Sequence, residues 1–549
     1  MRNNLFYGPY TPMSNHPPTH SLSSKLPGAA RPLSLLCLSL LATGCMVGPK
    51  YHTASTAAAT APPAYKEAPA PSAPTADPAA AKEWKVAQPQ DAMLRGKWWE
   101  VFGDPELNGL EDKLEIDNQN IKLYFENFMA ARAIVREARS SLYPTLGTAP
   151  AYTRTRSSSN LSNTSGTTGT TGTTGTGTTT TTTTSGKQSS LTTLPLDLTW
   201  EPDLWGKIRN TIRSDQYSAQ LSAADLENER LTEQASLAEY FFELRGQDAL
   251  QKVLDDTVAA DQKSLDLTKS LYETGVDNQI SVVEAQNTLQ NAQASATNLG
   301  LARAQYEHAI AVLIGTNPST FSLPVRPSTV APPPIPVGLP SMLLERRPDI
   351  AAAERTMASA NAQIGIAYAA YYPDLTLSAT GGLESSSFKH LLDWSSRYWS
   401  VGPSVSETIF DGGLRRATVN QYIATYNADV ASYRQTVLTA FQQVEDYLSD
   451  VRILSRQIEQ QRAAEQSAEQ YLSLETGRYE TGIDPYVDVV LAQTTLLTDQ
   501  QTVVSLQIQQ MVDAVQLVQA LGGGWDRSQL PTPAQITQKP TAAETTIQQ

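Results

Sequence analysis

Two stretches of about 65 residues without a proline, 208–272 and 414–479, constrain the fold of this 549-residue chain most strongly. In the second stretch apolar residues recur at steps of three and four, at Leu438, Phe441, Val444, Leu448, Val451, Leu454 and Ile458. That period is typical of a helix with one packed stripe. Each helix would be about 100 Å long. The sequence therefore predicts a sheath of parallel rods and not a compact globule.

The chain carries an internal duplication. The Tyr-Glu-Thr-Gly sequence that begins at Tyr272 recurs at Tyr479, an offset of 207 positions. Such a repeat indicates two tandem structural units. A first copy, a Pro-rich linker, a second copy and a tail are predicted at 98–316, 317–340, 341–522 and 523–549. Each copy reads as a helix, two strands, a long helix, a turn and a helix, and a Thr/Gly/Ser-rich insertion at 157–190 interrupts the first.

The shorter helices have lengths that suggest how they pack. Gly275 and Gly482 follow the long helices and permit the chain to reverse. Neither return helix is as long as its partner, so we expect shorter helices to stack end to end. The expected pairs are 279–314 with 341–371, and 487–521 with the helix at 108–142.

Short runs of alternating apolar and polar residues lie between the helices. Leu194, Leu196, Leu198 and Trp200 form one such face, and 375–380 and 401–405 alternate likewise. These runs resemble transmembrane strands, although periodicity alone leaves an ordinary soluble hairpin open. One chain supplies four strands, too few to close a barrel, whereas three copies would supply twelve. If the strands span a membrane, the protein is an oligomer.

Residues 1–44 are predicted to be a signal peptide. A largely apolar run at 33–42 follows Arg31 and is too short to cross a membrane as a helix. Small residues then precede Cys45 in a pattern that resembles a bacterial lipobox, so we expect a covalent lipid on Cys45. A plain signal peptide with an incidental cysteine is the alternative. Residues 45–97 are rich in Ala, Pro and Thr and predict an unpacked tether behind this anchor.

Composition argues against several classes of function. The net charge is −14 without a Lys/Arg cluster, which disfavours binding to nucleic acid. Both cysteines, Cys37 and Cys45, lie near the start, and the five histidines are dispersed. We therefore expect no metal site and no cofactor other than the lipid. With no nucleophile–base pair evident, the sequence predicts that the protein is not an enzyme.

Several segments together carry a family resemblance. The matching motifs are 45–51, 98–107, 345–350 with 353–355 and 371–373, and the strand-to-helix corners 409–413 and 204–207. They resemble the outer-membrane factor family of tripartite efflux pumps, the TolC-like group and its NodT-type lipoprotein branch. The resemblance implies a fold that is mainly α with membrane β. Long antiparallel helices would form a periplasmic α-barrel, and three chains would build a 12-stranded transmembrane β-barrel.

The resemblance also implies a function and partners. The homotrimer would be the outer-membrane channel of an RND-type efflux system, working with a periplasmic adaptor protein and an inner-membrane pump to export drugs or other small toxic compounds. It would be lipid-anchored in the cell outer membrane, with most of the chain in the periplasm. An outlet for metal ions or for type I protein secretion, and a structural envelope lipoprotein without a pore, remain alternatives.

The two glycine turns are the functional site that the resemblance implies. In the family they form the periplasmic tip where the adaptor docks, which assigns Gly275, Gly482, Tyr272 and Tyr479 to this region. The candidate residues of the pore constriction are Asp488, Glu284, Ser281 and Asp484. A ring of like charges in a narrow pore attracts cations and resists anions.

The match to the family tip has one departure. Asp488 stands where the family has a pore-facing acid, but Leu491 replaces a second acid three positions later. Asp488 could instead simply favour the start of a helix through the helix dipole. Asp277 and Asp484 are expected to be helix N-caps.

Overall fold

The computed structural model describes residues 46–53, 65–67, 96–156, 188–328, 331–335 and 343–538. The predicted signal peptide, Cys45, most of the tether, nearly all of the Thr-rich insertion and the last eleven residues lie outside the described residues. None of the helices described is long and apolar enough to cross a membrane.

Two helices of 67 residues run the length of the molecule, α3 at Lys207–Glu273 and α6 at Leu414–Glu480. Each follows a glycine in the left-handed region, Gly206 (φ 82°) and Gly413 (φ 92°). At 1.5 Å per residue each helix is about 100 Å long. The predicted long helices are confirmed to within a residue at each end.

Shorter helices lie alongside them. The first copy contributes α1 at Pro105–Asp117, α2 at Gln119–Ser140 and α4 at Gln279–Leu313. The second copy contributes α5 at Pro348–Ala369 and α7 at Tyr486–Ala520, and the C-terminal tail contributes α8 at Pro533–Thr537. The prediction of a single helix over 108–142 is wrong, because the helix is interrupted at Asn118. The side chain of Asn118 accepts hydrogen bonds from the backbone N–H groups of Asn120 and Ile121 and so starts a new helix.

The end-to-end stacking of the helices differs from the prediction. Asn118 Nδ2 donates a hydrogen bond to the Leu313 carbonyl at 2.9 Å, so α2 begins where α4 ends. Arg347 Nη1 donates to the Ala520 carbonyl at 3.0 Å, so α5 begins where α7 ends. Each stack therefore joins two helices of the same copy, and the predicted pairing between copies is wrong. The lengths alone could not distinguish the pairings. Polar side chains that bind the last carbonyl groups of the preceding helix decide between them.

The strands form one antiparallel sheet. In chain order they are β1 at Thr145–Gly147, β2 at Ala151–Arg156, β3 at Gln188–Trp200, β4 at Asp374–Ser385 and β5 at Arg397–Ser406. Both β1 and β2 pair with β3, so they are one strand interrupted at 148–150. β3 then pairs with β4, which joins the two copies, and β4 pairs with β5. Four strand positions are therefore present, as predicted.

One face of this sheet is apolar and is not covered by the part of the chain that the structure describes. The exposed apolar side chains include Leu194, Leu196, Leu198, Val401 and Val405. Alternation along β3 and β5 puts these residues on a single side of each strand. A soluble domain rarely leaves so continuous an apolar surface open to water. The face therefore requires a cover that the described residues do not supply.

The core surrounds the middle of the long helices. Trp98 and Trp99, in a one-and-a-half-turn 3-10 helix at Trp98–Phe102, pack with α1 against Phe241 and Leu244 of α3. A second cluster holds Met357 of α5 against α6 and the end of α7. Burying each such side chain contributes about 1.5–3 kcal/mol to stability.

Part of the inter-repeat linker is tied to α3 by buried ion pairs. Asp248 of α3 is 1% exposed and accepts hydrogen bonds from Arg245 Nη1 (3.0 Å), Arg303 Nε (2.7 Å) and the Arg326 backbone N–H (2.8 Å). Arg303 also donates to the Leu323 carbonyl at 2.8 Å. The described linker residues are thus packed against the helices at a carboxylate shared by three donors.

The N-terminal segment at 46–53 follows α3 and α5. The Val47 N–H donates to the Trp205 carbonyl at 3.1 Å, and Asn210 Nδ2 donates to the Val47 carbonyl at 3.0 Å. A Cβ added to Gly48 would lie 2.6 Å from Gly365 Cα, so only glycine permits this approach. These contacts hold residue 46 at the junction between the sheet and α3.

Candidate functional site

Both long helices end in the same kind of turn. In each, the glycine has a positive φ, 77° at Gly275 and 72° at Gly482. The N–H of Val276 bonds the Leu271 carbonyl, and that of Ile483 bonds the Arg478 carbonyl, each at 2.9 Å. This is the Schellman pattern, in which glycine relieves the strain of the left-handed conformation. Both predicted turns are confirmed.

A hydrogen bond joins the turn of the first copy to the long helix of the second. Tyr479 Oη, at the end of α6, donates to Asp277 Oδ2 at 2.6 Å and lies 3.3 Å from Thr268 Oγ1 of α3. The Tyr479 side chain is only 5% exposed, and its ring packs against that of Tyr486, with centroids 5.2 Å apart. Burial and the neighbouring Asp277 carboxylate raise the pKa of Tyr479, which keeps its hydroxyl a donor.

Asp277 is the acceptor at the centre of this contact. Its Oδ1 accepts from the Asn278 N–H at 2.7 Å and from Ser281 Oγ at 2.8 Å. Partial burial opposes ionisation, but the hydrogen bonds from Tyr479, Asn278 and Ser281 outweigh it and lower the pKa of Asp277. The prediction that Asp277 is the N-cap of α4 is wrong, because the Asn278 side chain has that role. Asp277 instead joins the two copies.

The equivalent acid of the second turn is arranged differently. Asp484 forms an ion pair with Arg478, whose Nη2 lies 2.9 Å from Asp484 Oδ1, and hydrogen bonding to that guanidinium lowers the pKa of Asp484. The predicted N-cap role of Asp484 is also wrong, because Pro485 occupies that position and α7 has no side-chain cap. The pair stays within the α6–α7 turn.

The remaining predicted residues fall into two groups. Ser281 is buried and joins the Asp277 contact. Asp488, in the first turn of α7, and Glu284 are half-buried, and neither side chain has a hydrogen bond or ion pair within the part of the chain described. Tyr272, the counterpart of Tyr479, is 46% exposed. The duplicated motif is therefore used asymmetrically.

Sequence reasoning missed three residues of the tip. Thr268, Tyr486 and Asp261 bind or pack at the interface of the two hairpins, α3–α4 and α6–α7. Tyr486 belongs to an apolar cluster completed by Leu265, Ala285, Leu289, Tyr479 and Val489. The apolar spacing in α7 was the only signal for Tyr486, and nothing in the sequence singled out Asp261.

The outside of both turns carries apolar side chains. More than half of the side-chain surface is exposed at Val276, Ile280, Val283, Ile483, Val487 and Leu491. No group of three or more metal-ligating side chains occurs among the described residues. The tip thus combines an internal polar contact with an exposed apolar rim, which suits contact with other protein surfaces.

Comparison with known proteins agrees with this architecture. The sequence pattern of the family described as "outer membrane efflux protein" matches residues 118–316 and 339–523. The chain is 30% identical over 504 residues to the toluene efflux pump outer membrane protein TtgF of Pseudomonas putida, covering 91% of this chain and 98% of TtgF. It is 29% identical over 494 residues to the probable efflux pump outer membrane protein TtgC of the same species, covering 90% and 95%.

A solved structure shows the same fold. The outer-membrane channel OprN superposes with a TM-score of 0.72 at 26% identity, covering 88% of this chain and all of OprN. The family resemblance and the fold class expected from the motifs are thereby confirmed. From its duplicated helices, its sheet and these matches, the chain belongs to the outer membrane efflux protein family.

Proposed function

We propose that this protein is the outer-membrane outlet of a tripartite efflux pump and exports drugs, solvents or other small toxic compounds. One observation carries the proposal. An amphipathic sheet stands at one end of helices about 100 Å long, and two hairpin tips joined by a hydrogen bond stand at the other. Such a shape suits a conduit that spans a membrane and reaches a partner on its inner side. The name of TtgF, a toluene efflux protein, favours small organic substrates.

The protein would work as a homotrimer. Among the described residues β5 pairs with β4 alone, and β1 and β2 pair with β3 alone, so each outer strand leaves one edge unpaired there. Unpaired backbone groups cannot face hydrocarbon, so the sheet must close. Four strand positions cannot close a barrel, whereas three chains supply twelve. The uncovered apolar side chains of β3 and β5 would then face lipid.

The partners would be a periplasmic adaptor and an inner-membrane pump of the RND type. The exposed apolar residues at the tip from Val276 to Val283, with Ile483 and Val487, form a suitable surface for an adaptor. Exposed apolar patches of this kind mark protein–protein contacts. Gly275 and Gly482 would fix the two turns that carry these residues.

A lipid on Cys45 would anchor the chain to the outer membrane, with most of the chain in the periplasm. The neighbouring Met46 packs against Gly206, where the sheet meets α3. A Cβ added to Gly206 would lie only 2.8 Å from Met46 Cγ. A lipid one residue away would reach the inner leaflet without a long tether.

Replacing Cys45 with serine is expected to abolish lipid attachment, because the acyl group requires the thiol. Incorporation of radioactive palmitate into the full-length protein measures this, with Cys37→Ser as the matched control that keeps its label. Label retained by the Cys45→Ser protein would place the lipid elsewhere.

The tip would be the gate of the channel. Asp488 would form a ring of three carboxylates around the axis, with Glu284 as its first-copy counterpart and Ser281 and Asp484 shaping the constriction. Like charges in a narrow, low-dielectric pore attract cations. Leu491, one turn further along α7, would make the neighbouring layer apolar.

The proposed function is tested by single-channel recording of the purified mature protein in a planar bilayer. We expect discrete, cation-preferring current steps. Asp488→Ala is expected to reduce the cation preference and raise the conductance, because three negative charges leave the constriction. Glu480→Ala, which removes an acid from the end of α6, is the matched control. A correctly assembled Asp488→Ala trimer with unchanged selectivity would exclude Asp488 from the gate.

A further inference from the structure

A cavity of about 140 Å³ lies between the two hairpins, next to the apolar cluster of the tip. It is lined by Asp256, Thr257, Ala260 and Asp261 of α3, by Leu472 of α6, and by Gln493, Leu496, Leu497 and Gln500 of α7. The cavity therefore separates the long helix of the first copy from the hairpin of the second. A change in its contents acts directly on the packing between them.

Two hydrogen-bond acceptors face this interface without a donor. Asp261 is 3% exposed, and its carboxyl group has no hydrogen bond or ion pair within the described chain. Gln493 Nε2 donates to Ser264 Oγ at 2.9 Å, which leaves Gln493 Oε1 buried and unpartnered. An ionised carboxylate with so little accessible surface is costly, because no donor among the described residues replaces the hydration that it loses. A proton on Asp261 removes the charge and supplies a donor.

The charges around Asp261 also favour its protonated form. Asp256, on its own helix, lines the cavity but is exposed and paired with Lys252. The lining residues from α6 and α7 carry no charge. The nearby titratable groups on other helices are Tyr486 of α7 and, beyond it, Glu284 of α4, whose charge acts on Tyr486 together with that of Asp261. No lysine or arginine lines the described walls of the cavity, so no cation stabilises the ionised form.

We propose that the Asp261 carboxyl group is a proton-operated latch between the α3–α4 and α6–α7 hairpins. When protonated, it permits the closed packing. When ionised, it favours separation of α3 from α7, because separation admits water to the charge. The latch deepens the proposed gate and rests on it, since it acts on the same hairpins as the Tyr479–Asp277 contact.

The direction and size of the effect follow from titration of this group. Burial raises the pKa of Asp261 from 3.8 to about 6 in the closed packing. Opening would return the group to water and to its ordinary value. At low pH Asp261 is protonated in both states, so its charge does not destabilise the closed state. The closed state loses stability as pH rises from 3.8 through about 6, the pKa values of the open and closed states. Between about pH 5 and about pH 7.5 the opening constant should rise about tenfold.

Hydrogen exchange of the two tip hairpins in the full-length trimer, corrected for the intrinsic rate at each pH, measures this opening without requiring current. We expect tip protection in the natural protein to fall about tenfold between about pH 5 and about pH 7.5. Asp261→Asn should stay protected at both pH values, because it is neutral and of the same shape. Asp261→Ser is a second neutral variant, and Asp256→Asn is the matched control that lines the same cavity and should follow the natural protein.

Several outcomes would overturn the latch: a natural protein whose tip protection does not depend on pH, neutral variants that keep the pH response, or an Asp256→Asn protein that loses it. Single-channel current from the same preparations separates this failure from that of the proposed function. Current with an unchanged pH profile in Asp261→Asn defeats the latch alone. Absence of current from every variant, with the expected exchange pattern, defeats the conduit and leaves the latch supported.

Discussion

Replacing Asp277 with alanine is expected to raise the open probability of the channel by about tenfold or more. The change removes the acceptor for Tyr479 Oη (2.6 Å) and for Ser281 Oγ (2.8 Å), and so breaks the hydrogen bond between the two copies. A hydrogen bond to a charged group contributes about 1.5–3 kcal/mol, which corresponds to roughly one to two decades in an equilibrium constant. Single-channel recording of the purified trimer measures the open fraction directly.

The duplicated tyrosines provide a matched control for this prediction. Tyr479→Phe removes the same hydrogen bond from its other side and should open the tip, whereas Tyr272→Phe removes a hydroxyl from an exposed ring at the equivalent position. We expect current changes from Tyr479→Phe and none from Tyr272→Phe. Equal effects of the two changes would mean that the contact does not hold the tip closed.

The hydrogen bond between Tyr479 and Asp277 should also weaken in acid. Hydrogen bonds from Tyr479 and its neighbours lower the pKa of Asp277 below its ordinary value of 3.8, despite partial burial. A group with a lowered pKa contributes stability at higher pH and loses it as pH falls through the folded-state value. The Asp277 contact is therefore intact at neutral pH and at the moderately acidic pH where Asp261 titrates. The two acids of the tip would respond to pH in separate ranges and in opposite directions.

Replacing Asp248 with alanine is expected to lower the free energy of unfolding by about 3–5 kcal/mol. Removing one partner of a buried ion pair leaves the other charge without compensation. Asp248 accepts hydrogen bonds from Arg245, Arg303 and the Arg326 backbone, and the Arg245 side chain is itself almost fully buried. Denaturant unfolding of the purified protein, monitored by circular dichroism, measures the loss.

A surface ion pair on the same helix controls for the Asp248 change. Asp256→Ala removes the partner of Lys252, and both side chains are more than half exposed. Surface pairs contribute about 0–1 kcal/mol because water screens them. If Asp248→Ala is no more destabilising than Asp256→Ala, the linker is not held by this carboxylate.

The long helices could be predicted because their signal is local and repeated. The absence of proline, the three- and four-residue spacing and the terminal glycines all act within a few residues of the position they describe. The same holds for the strands, whose alternation is visible in 194–200 and is confirmed in β3. The duplication added strength, because each element was indicated twice.

The contacts of the tip could not be predicted in this way. Tyr272 and Tyr479 stand in identical tetrapeptides and end helices of equal length, yet one is exposed and the other buried. Asp277 and Asp484 both read as N-caps, although one bonds a residue 202 positions away and the other an arginine of its own turn. The neighbouring residues do differ, with Arg478 where the first copy has Leu271, and Arg478 is the partner of Asp484. The buried bond from Tyr479 to Asp277 has no such local signal, because its partners lie on different copies.

The sequence alone determined the two long helices, the glycine turns, the strand alternation and, through its motifs, the family. The tertiary structure decided which helices stack, which tyrosine bonds the other copy and which acids are buried. The physical reason is the distance along the sequence between the residues that interact. Backbone conformation depends on neighbours along the chain, whereas the burial of Asp261 and the bond from Asn118 to the end of α4 depend on packing between segments far apart in sequence.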